Sequence, residues 1–299
     1  MSRWMISRLR AHILNWLLPR RAYKFFLIDW EPLEDLGRVA DAMATLRQTA
    51  RLEPAVVSAP TSRRIVVVAP HPDDESIGPG GTLVAASDRG AKIKVVVLSD
   101  EADAETAALR RQEAEVACRI LRAAPVFLGF KQRAIPVDGP ALTSFADAVA
   151  SLDGKTGPDA LFIPFFADDH DDHRRANELL LRAADGGQLF ARPEIWAYQV
   201  YTSMPCNVFV DIAAHKAEKT RAIECHATQM ARRDWVSVTL GLNAYNARFV
   251  RSRRSGLYEG FFVLPFDDYI GLLRRYFKKP THECYRSSFY RGVPGPSAA

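Results

Sequence analysis

Cysteine is scarce in this sequence, and the few that occur lie far apart. The chain has 299 residues and four cysteines, none in a Cys-x-x-Cys pair: Cys118, Cys206, Cys225 and Cys284. Zinc knuckles bind through such pairs, and small secreted domains depend on closely spaced disulfides. The sequence therefore argues against both classes and predicts reduced, mostly buried thiols.

Long apolar runs and glycine-rich nucleotide motifs are also missing. No apolar stretch approaches the roughly 20 residues that span a bilayer. The sequence Gly78-Pro79-Gly80-Gly81 matches neither G-x-G-x-x-G nor the P-loop with its lysine. A nucleotide-dependent enzyme of Rossmann type is therefore disfavoured. Close packing of this loop against the adjoining site explains its glycines better.

Basic residues exceed acidic ones by five, and the excess is confined to one end of the chain. Residues 1–28 hold no acidic side chain and six basic ones: Arg3, Arg8, Arg10, Arg20, Arg21 and Lys24. The rest of the chain is close to neutral, which does not indicate a broad basic surface. We therefore predict no nucleic-acid partner, and the sequence does not indicate an oligomeric state.

The same leader carries an apolar arc. On a helical wheel one narrow face contains Met5, Ile6, Leu9, Ile13, Trp16 and Leu17. Such a helix either packs on its own domain or a second subunit, or lies in the headgroup layer of a membrane. We expect a cytoplasmic protein, and residues 3–24 leave open a peripheral contact with the inner face of the membrane.

From residue 65 onward, strand-like and helix-like segments alternate. Ile65–Ala69, Ile93–Leu98, Val126–Leu128 and Ala160–Pro164 are apolar strand runs separated by helical patterns. This order predicts an α/β fold: a Rossmann-like parallel sheet with helices on both faces. We divide the chain into an N-terminal helical extension (1–60), a catalytic domain (61–285) and a C-terminal tail (286–299).

Potential metal ligands follow two of these strands directly. After the first strand comes a loop with His71, Asp73 and Asp74, and after Ala160–Pro164 comes an acidic run with His170 and His173. Ligands of open parallel sheets bind at the carboxyl ends of strands, so the sheet would bring the two loops together. Two histidines and one carboxylate, with a free position for water, form a known catalytic zinc site. The neighbouring aspartate would accept a proton from the water.

At this point the sequence resembles the LmbE-like, or PIG-L-like, zinc N-deacetylases. The resemblance spans about residues 64–264 and rests on four motifs: Ala69-Pro-His-Pro-Asp-Asp-Glu75, His170-x-Asp-His173, Arg110-x-x-Glu113 and Lys219-x-x-Ala-Ile-x-x-His226-x-Thr-Gln229. It implies Zn²⁺ as cofactor, bound by His71, Asp74 and His173. It further implies that Asp73 is the general base, that His170 assists at the oxyanion or the leaving amine, and that Asp172 orients a histidine.

The resemblance also suggests substrate-binding residues. Arg110 would approach sugar hydroxyls, and His226 would be a substrate contact or a partly buried structural histidine. A dense cluster that includes Arg251 and Arg253 would receive a substrate phosphate, or form a solvated basic face. One position departs from the family pattern, since Asp171 replaces a proline. Its negative charge is expected to raise the pKa of His170.

The function expected from these residues is removal of the acetyl group from an N-acetylglucosamine-type sugar, with or without a phosphate, nucleotide or lipid attached. One alternative is an amidase that acts on another acyl amide, such as a thiol conjugate. A second is a non-catalytic binding protein on the same fold, which is disfavoured because both the ligands and the base are present. The expected partner is thus a small N-acylated sugar.

Overall fold

The computed structural model describes residues 54–101, 103–150, 152, 157–201, 203–250 and 256–277. The expected leader helix, Arg251, Arg253 and the C-terminal tail lie outside these residues. Eight strands are described: β1 (Ala55–Val57), β2 (Arg64–Ala69), β3 (Lys92–Asp100), β4 (Ala124–Lys131), β5 (Ala160–Pro164), β6 (Glu194–Tyr198), β7 (Val208–Asp211) and β8 (Tyr258–Leu264). Strand β1 lies within the segment 1–60 that we expected to be a helical extension, and it pairs parallel with β7 in the folded sheet.

Helices connect most of these strands. The described α-helices are α1 (Asp74–Ile77), α2 (Gly80–Asp88), α3 (Ala104–Leu121), α4 (Gly139–Ala150), α5 (Asp171–Asp185), α6 (Lys216–Glu224), α7 (Ala227–Met230), α8 (Trp235–Asn246) and α9 (Phe266–Tyr276). Helices α6 and α7 are separated by Cys225 and His226. None of the helices in the described part of the chain is long and apolar enough to cross a bilayer.

The eight strands form one sheet in the order β1-β7-β8-β6-β5-β2-β3-β4. All neighbours are parallel except β8, which pairs antiparallel with both β6 and β7. The expected α/β sheet is therefore confirmed, and its mixed character comes from β8. That strand lies beyond the regular alternation of strand and helix, so the sequence pattern did not reveal it.

Alternate side chains of β2 divide the core into two layers. Val66 and Val68 pack in one cluster with the apolar faces of α4, α5 and α9. Ile65 and Val67 point to the opposite cluster, which contains side chains from α2, α3 and α6. Because successive strand residues face opposite sides of a sheet, an almost continuous apolar strand such as β2 requires helices on both faces. The expected layer arrangement is confirmed.

The strand order reverses between β2 and β5. From β2 the chain continues outward through β3 and β4, then returns to place β5 and β6 on the other side of β2. In doubly wound sheets such a reversal opens a crevice at the carboxyl ends of the two strands, and ligands bind there. Both histidine loops begin at this crevice.

Candidate metal centre

Three side-chain atoms from the two loops converge at the end of β2 and β5. Oδ2 of Asp74 lies 3.2 Å from Nδ1 of His71 and 3.3 Å from Nε2 of His173. All three residues are buried, with at most 4% of their surface exposed. Nε2 of His173 and Oδ1 of Asp74 have no hydrogen-bond partner in the described structure. Buried polar atoms without partners are uncommon and point to a missing ligand.

The spacing of these atoms fits a tetrahedral metal ion. Zinc binds imidazole and carboxylate atoms at about 2.0–2.1 Å, which places tetrahedral ligand atoms about 3.3 Å apart. The observed separations of 3.2 and 3.3 Å match this requirement. Ligand atoms of His71, His170 and His173 also lie within 4.8 Å of one another. The cluster is therefore suited to hold a cation.

Each of the two converging histidines is held by a carboxylate behind it. Oδ2 of Asp172 is 2.9 Å from Nε2 of His71, and Oδ1 of Asp168 is 3.0 Å from Nδ1 of His173. The backbone N–H of Arg133, whose φ of 60° is left-handed, donates to the same oxygen of Asp172. Carboxylates behind metal-binding histidines fix the ring orientation and the nitrogen that is presented. The expected orienting role of Asp172 thus has a geometric counterpart at His71.

The charges of this cluster balance one another in the metal-free protein. Burial alone would lower the pKa of His71, but Asp172 and Asp74 outweigh it and raise the pKa to about 9. For His173 burial is likewise outweighed, by Asp74 and Asp168, and its pKa rises to about 10. Conversely, the charge of His173 holds the pKa of Asp74 well below its ordinary value despite burial. A site that draws protons so strongly is built to stabilise positive charge.

Asp73 adjoins the cluster in a strained conformation. Its φ of 147° is rare for a residue with a side chain. The strain is held by a hydrogen bond from its backbone N–H to Oε2 of Glu75. Its Oδ1 atom is buried and has no hydrogen-bond partner among the described residues. Burial and then the charge of Asp74 raise the pKa of Asp73 to about 6, which is a suitable value for a proton acceptor near neutral pH.

His170 occupies the N-cap of α5, and its Nδ1 accepts a hydrogen bond from the backbone N–H of Asp172. The proton of a neutral His170 ring must therefore reside on Nε2. Burial, followed by the charges of His71 and His173, lowers the pKa of His170 to about 3. The expectation that Asp171 raises this pKa is wrong. The Asp171 carboxylate pairs with Arg174 instead.

Arg110 is buried beside the cluster and contacts Asp73. Its guanidinium donates to Oε1 of Glu101, to the carbonyl of Pro72 and, at 3.3 Å, to Oδ2 of Asp73. Glu113 has separate partners, since both its oxygens accept hydrogen bonds from Thr228. In this structure Arg110 holds the loop of Asp73, and its expected contact with sugar hydroxyls stays a prediction.

His226 is buried behind the first loop. Its Nε2 lies 3.1 Å from Oε1 of Glu75 and 3.2 Å from Oγ of Ser76, whereas its buried Nδ1 has no partner in the described part of the chain. Burial is outweighed by the carboxylate of Glu75, so the pKa of His226 is raised. These contacts support the structural interpretation, and a substrate contact through Nδ1 stays a prediction.

The glycine loop does not form a phosphate cradle. The N–H groups of Gly81 and Thr82, at the start of α2, donate to the Glu259 carboxylate at 2.8 Å. Glu259 also pairs with buried Lys219. A side chain at Gly78 would collide with the ring of Tyr198 at 2.4 Å. Close packing therefore explains the glycines, as expected, although it occurs against Tyr198 rather than against the metal cluster.

Sequence reasoning missed two residues at the site. Asp168 appears in the acidic run, but nothing in the spacing singles it out from the other three aspartates there. Tyr201 follows β6, and its ring stacks on His173 with centroids 5.3 Å apart. The position of β6 beside β5 is the feature that brings Tyr201 to the site, and this pairing is not encoded in any local motif.

The fold and the cluster together define an α/β protein with a candidate metal centre at the switch point of the sheet. Residues 66–184 match the family model described as PIG-L, GlcNAc-PI de-N-acetylase. Over these residues the chain is therefore similar to the PIG-L, or LmbE-like, de-N-acetylases.

The chain is also similar to one curated protein and, in its fold, to solved structures. A diacetylchitobiose deacetylase of Thermococcus kodakarensis is 27% identical over 198 residues, which cover 58% of this chain and 72% of the relative. The solved N,N'-diacetylchitobiose deacetylase of Pyrococcus horikoshii is 22% identical with a TM-score of 0.57, covering 79% of this chain and 94% of that chain. A 4-carboxy-2-hydroxymuconate hydratase of Pseudomonas putida is similar in fold, with 22% identity, a TM-score of 0.58, and coverage of 68% and 96%.

Proposed function

We propose that this protein is a zinc-dependent hydrolase that removes the acetyl group from an N-acetylglucosamine-type sugar. The observation that carries the proposal is the convergence of His71, Asp74 and His173 at tetrahedral spacing beside the unpartnered carboxylate oxygen of Asp73. The family match supports hydrolysis of an N-acetyl group, and the relatives named as diacetylchitobiose deacetylases support a sugar as the acetyl carrier.

In this proposal the metal would be held by His71, Asp74 and His173. When bound, zinc polarises a carbonyl and lowers the pKa of water at the site. Asp73 is suited to take the proton of the attacking water, because its pKa of about 6 leaves it ionised at neutral pH but basic enough to be protonated. Arg110 keeps that carboxylate in place through Oδ2, which leaves Oδ1 for the proton.

His170 is suited to stabilise the oxygen of the former amide carbonyl. Its ring is neutral, and Nε2 carries the proton that can be donated to developing negative charge. A neutral imidazole donates a hydrogen bond but has no spare proton for the leaving amine. We therefore assign the protonation of the amine to Asp73, which holds the proton taken from water.

The test is incubation of the purified, zinc-loaded protein with a panel of free, nucleotide-linked and lipid-diphosphate-linked N-acetylhexosamines, analysed by mass spectrometry. The expected result is replacement of one acetyl group by hydrogen in at least one sugar. The panel also contains an acylated thiol conjugate and an unsaturated carboxylic acid. Turnover of the conjugate alone would support the amidase alternative. Addition of water to the acid would support hydratase chemistry, which the same fold carries in a solved neighbour.

A preference for a phosphate-bearing substrate would depend on residues that the structure does not describe. Arg251 and Arg253 lie outside the described residues, so a phosphate-binding role is an inference from the sequence alone. If they bind phosphate, a phosphate- or diphosphate-linked sugar should be hydrolysed faster than the free sugar, and Arg251→Ala with Arg253→Ala should erase the difference. Equal rates on both substrates in the unaltered protein would indicate that Arg251 and Arg253 belong to a solvated basic surface and bind no phosphate.

A peripheral membrane contact is a further inference from the leader, which also lies outside the described residues. An amphipathic helix with basic flanks predicts that the full-length protein co-sediments with anionic vesicles, and less so at high salt. If the full-length protein does not co-sediment with the vesicles, the leader is instead expected to pack against its own domain or against a second subunit.

A further inference from the structure

An exposed aromatic ring lies directly against the metal cluster. Tyr201 stacks on His173 at an interplanar angle of 19° and lies 6.1 Å from the ring of His170. Even so, 38% of its surface is exposed. A tyrosine side chain is uncharged at neutral pH. Tyr201 thus extends from the reaction centre to the molecular surface as a neutral wall.

Trp235 extends this wall away from the metal cluster. Its ring lies 5.7 Å from that of Tyr201, and the guanidinium of Arg233 covers it at 5.3 Å. Trp235 is the first residue of α8, and its position is set by Asp234, whose side chain caps the helix by accepting from Ser237 at 2.9 Å. Two aromatic rings from separate loops therefore form one surface, which we call the Tyr201–Trp235 wall.

The wall is fixed relative to the metal cluster by one carboxylate. Asp168 accepts the backbone N–H of Tyr201 through Oδ2, at 3.3 Å, while its Oδ1 contacts Nδ1 of His173. The same buried side chain thus positions a metal-binding ring and the start of the wall. Tyr201 is therefore held beside the position at which a substrate amide would meet the cluster.

The chemistry of the wall differs from that of the cluster it borders. The cluster is lined with carboxylates and imidazoles, whereas the wall offers neutral aromatic surface with one cation behind Trp235. Binding sites typically combine apolar and aromatic surface with a few placed polar groups. A pyranose ring has an apolar face of C–H groups and a rim of hydroxyls, so it is matched to an aromatic side chain that is partly exposed.

We propose that the Tyr201–Trp235 wall is a carbohydrate subsite, which receives the pyranose ring that bears the amide on Tyr201 and the adjoining part of the substrate at Trp235. This inference rests on the proposed function and deepens it, since it names the residues that select a ring-bearing substrate over a small acyl amide. Tyr201 acts here through its ring, and its hydroxyl is not required for stacking.

The test measures binding of di-N-acetylchitobiose by calorimetry, with every variant placed in an Asp73→Asn background so that the ligand is not consumed. Tyr201→Ala and Trp235→Ala should each weaken binding about tenfold, the scale of one aromatic contact. Tyr201→Phe should bind like the parent. The matched control is Tyr245→Ala, which removes another exposed aromatic side chain of α8 that contacts Phe249 and Arg248 instead. Metal content is measured for each protein.

Three outcomes would overturn the subsite. Tyr201→Ala with full metal content could bind the disaccharide as tightly as the parent. The control Tyr245→Ala could weaken binding equally, or the parent could bind no acetylated sugar. The proposed reaction is judged separately, on the protein with Asp73 intact. Absence of acetate release together with Tyr201-dependent binding would remove the hydrolase assignment and retain the subsite.

Discussion

Asp172 and His71 are 101 residues apart in the chain, yet Oδ2 of Asp172 lies 2.9 Å from Nε2 of His71. The contact joins the loop after β5 to the loop after β2. It engages one nitrogen of the ring and leaves Nδ1 facing Asp74. The two loops therefore form one site: the loop after β2 supplies His71 and Asp74, whereas the loop after β5 supplies His173 and the carboxylates beside both rings, Asp172 and Asp168.

The first prediction concerns the identity of the ligands. His71→Ala, Asp74→Ala and His173→Ala should each lose most bound zinc, because a three-ligand site loses one of its donors. His170→Ala should retain zinc, since His170 is assigned to the carbonyl oxygen. Elemental analysis of the purified variants measures this, with His215→Ala, remote from the cluster beside Asp88, as the control. Zinc loss in His170→Ala but not in Asp74→Ala would replace Asp74 by His170 as the third ligand.

The second prediction separates the adjacent aspartates. Asp73→Asn should keep its metal and lose about 10²- to 10⁴-fold in turnover, the usual contribution of a general base. The reason is that Asp73 is assigned to proton transfer and Asp74 to metal binding. Acetate release and metal content are measured on the same preparations. If Asp73→Asn loses zinc while Asp74→Asn retains it, the two roles are reversed.

The third prediction concerns the carboxylate behind His173. Asp168→Asn should weaken zinc binding by about 10- to 100-fold, as is typical when a partner of a metal-binding histidine is removed. Competition with a chromophoric chelator gives the affinity, and the spectrum of the cobalt-substituted protein reports on ligand geometry. Asp169→Asn, at the exposed neighbouring position, is the matched control. Equal affinities for the two variants would reduce Asp168 to an ordinary loop residue.

The fourth prediction follows from the raised pKa values of His71 and His173, about 9 and 10 in the metal-free protein. At pH 7 both rings are therefore protonated on both nitrogens and positively charged, whereas a histidine that binds a metal must be neutral. Zinc binding should therefore release about two protons, and the apparent affinity should increase with pH until these groups have titrated. Calorimetry in buffers of different ionisation enthalpy counts the protons. Release of none would show that the rings are already neutral.

The raised pKa values of His71 and His173 also contribute to the stability of the protein without metal. Both pKa values in the folded state lie above the ordinary histidine value of 6.5. The two protonated histidines therefore stabilise the folded state fully below pH 6.5, and this contribution is lost as the pH rises through 9 to 10. The melting temperature without metal should fall over this range. A rise over the same range would contradict the ion pairs of His71 and His173 with their carboxylates.

Local sequence patterns were sufficient to predict much of the fold. The apolar side chains of β2 point to both faces of the strand, so they can all be buried only in a sheet that is covered on both faces. The structure confirms this with two core layers. Strand β8 was not predicted, because an antiparallel strand added after the regular alternation has no local signature that distinguishes it. Its placement between β6 and β7 depends on the rest of the sheet being present.

What the sequence alone determined is the position of the ligand set. His71, Asp74 and His173 follow the two buried strands β2 and β5, and parallel strands place their carboxyl ends at one edge, so these side chains had to meet. Only the tertiary structure decided which groups pair there. The contact of Asp168 with His173, the turning of Asp171 toward Arg174, and the stacking of Tyr201 depend on rotamers and on the order of strands. Neither of these is encoded in the spacing of residues along the chain, because each depends on atoms that distant segments bring together.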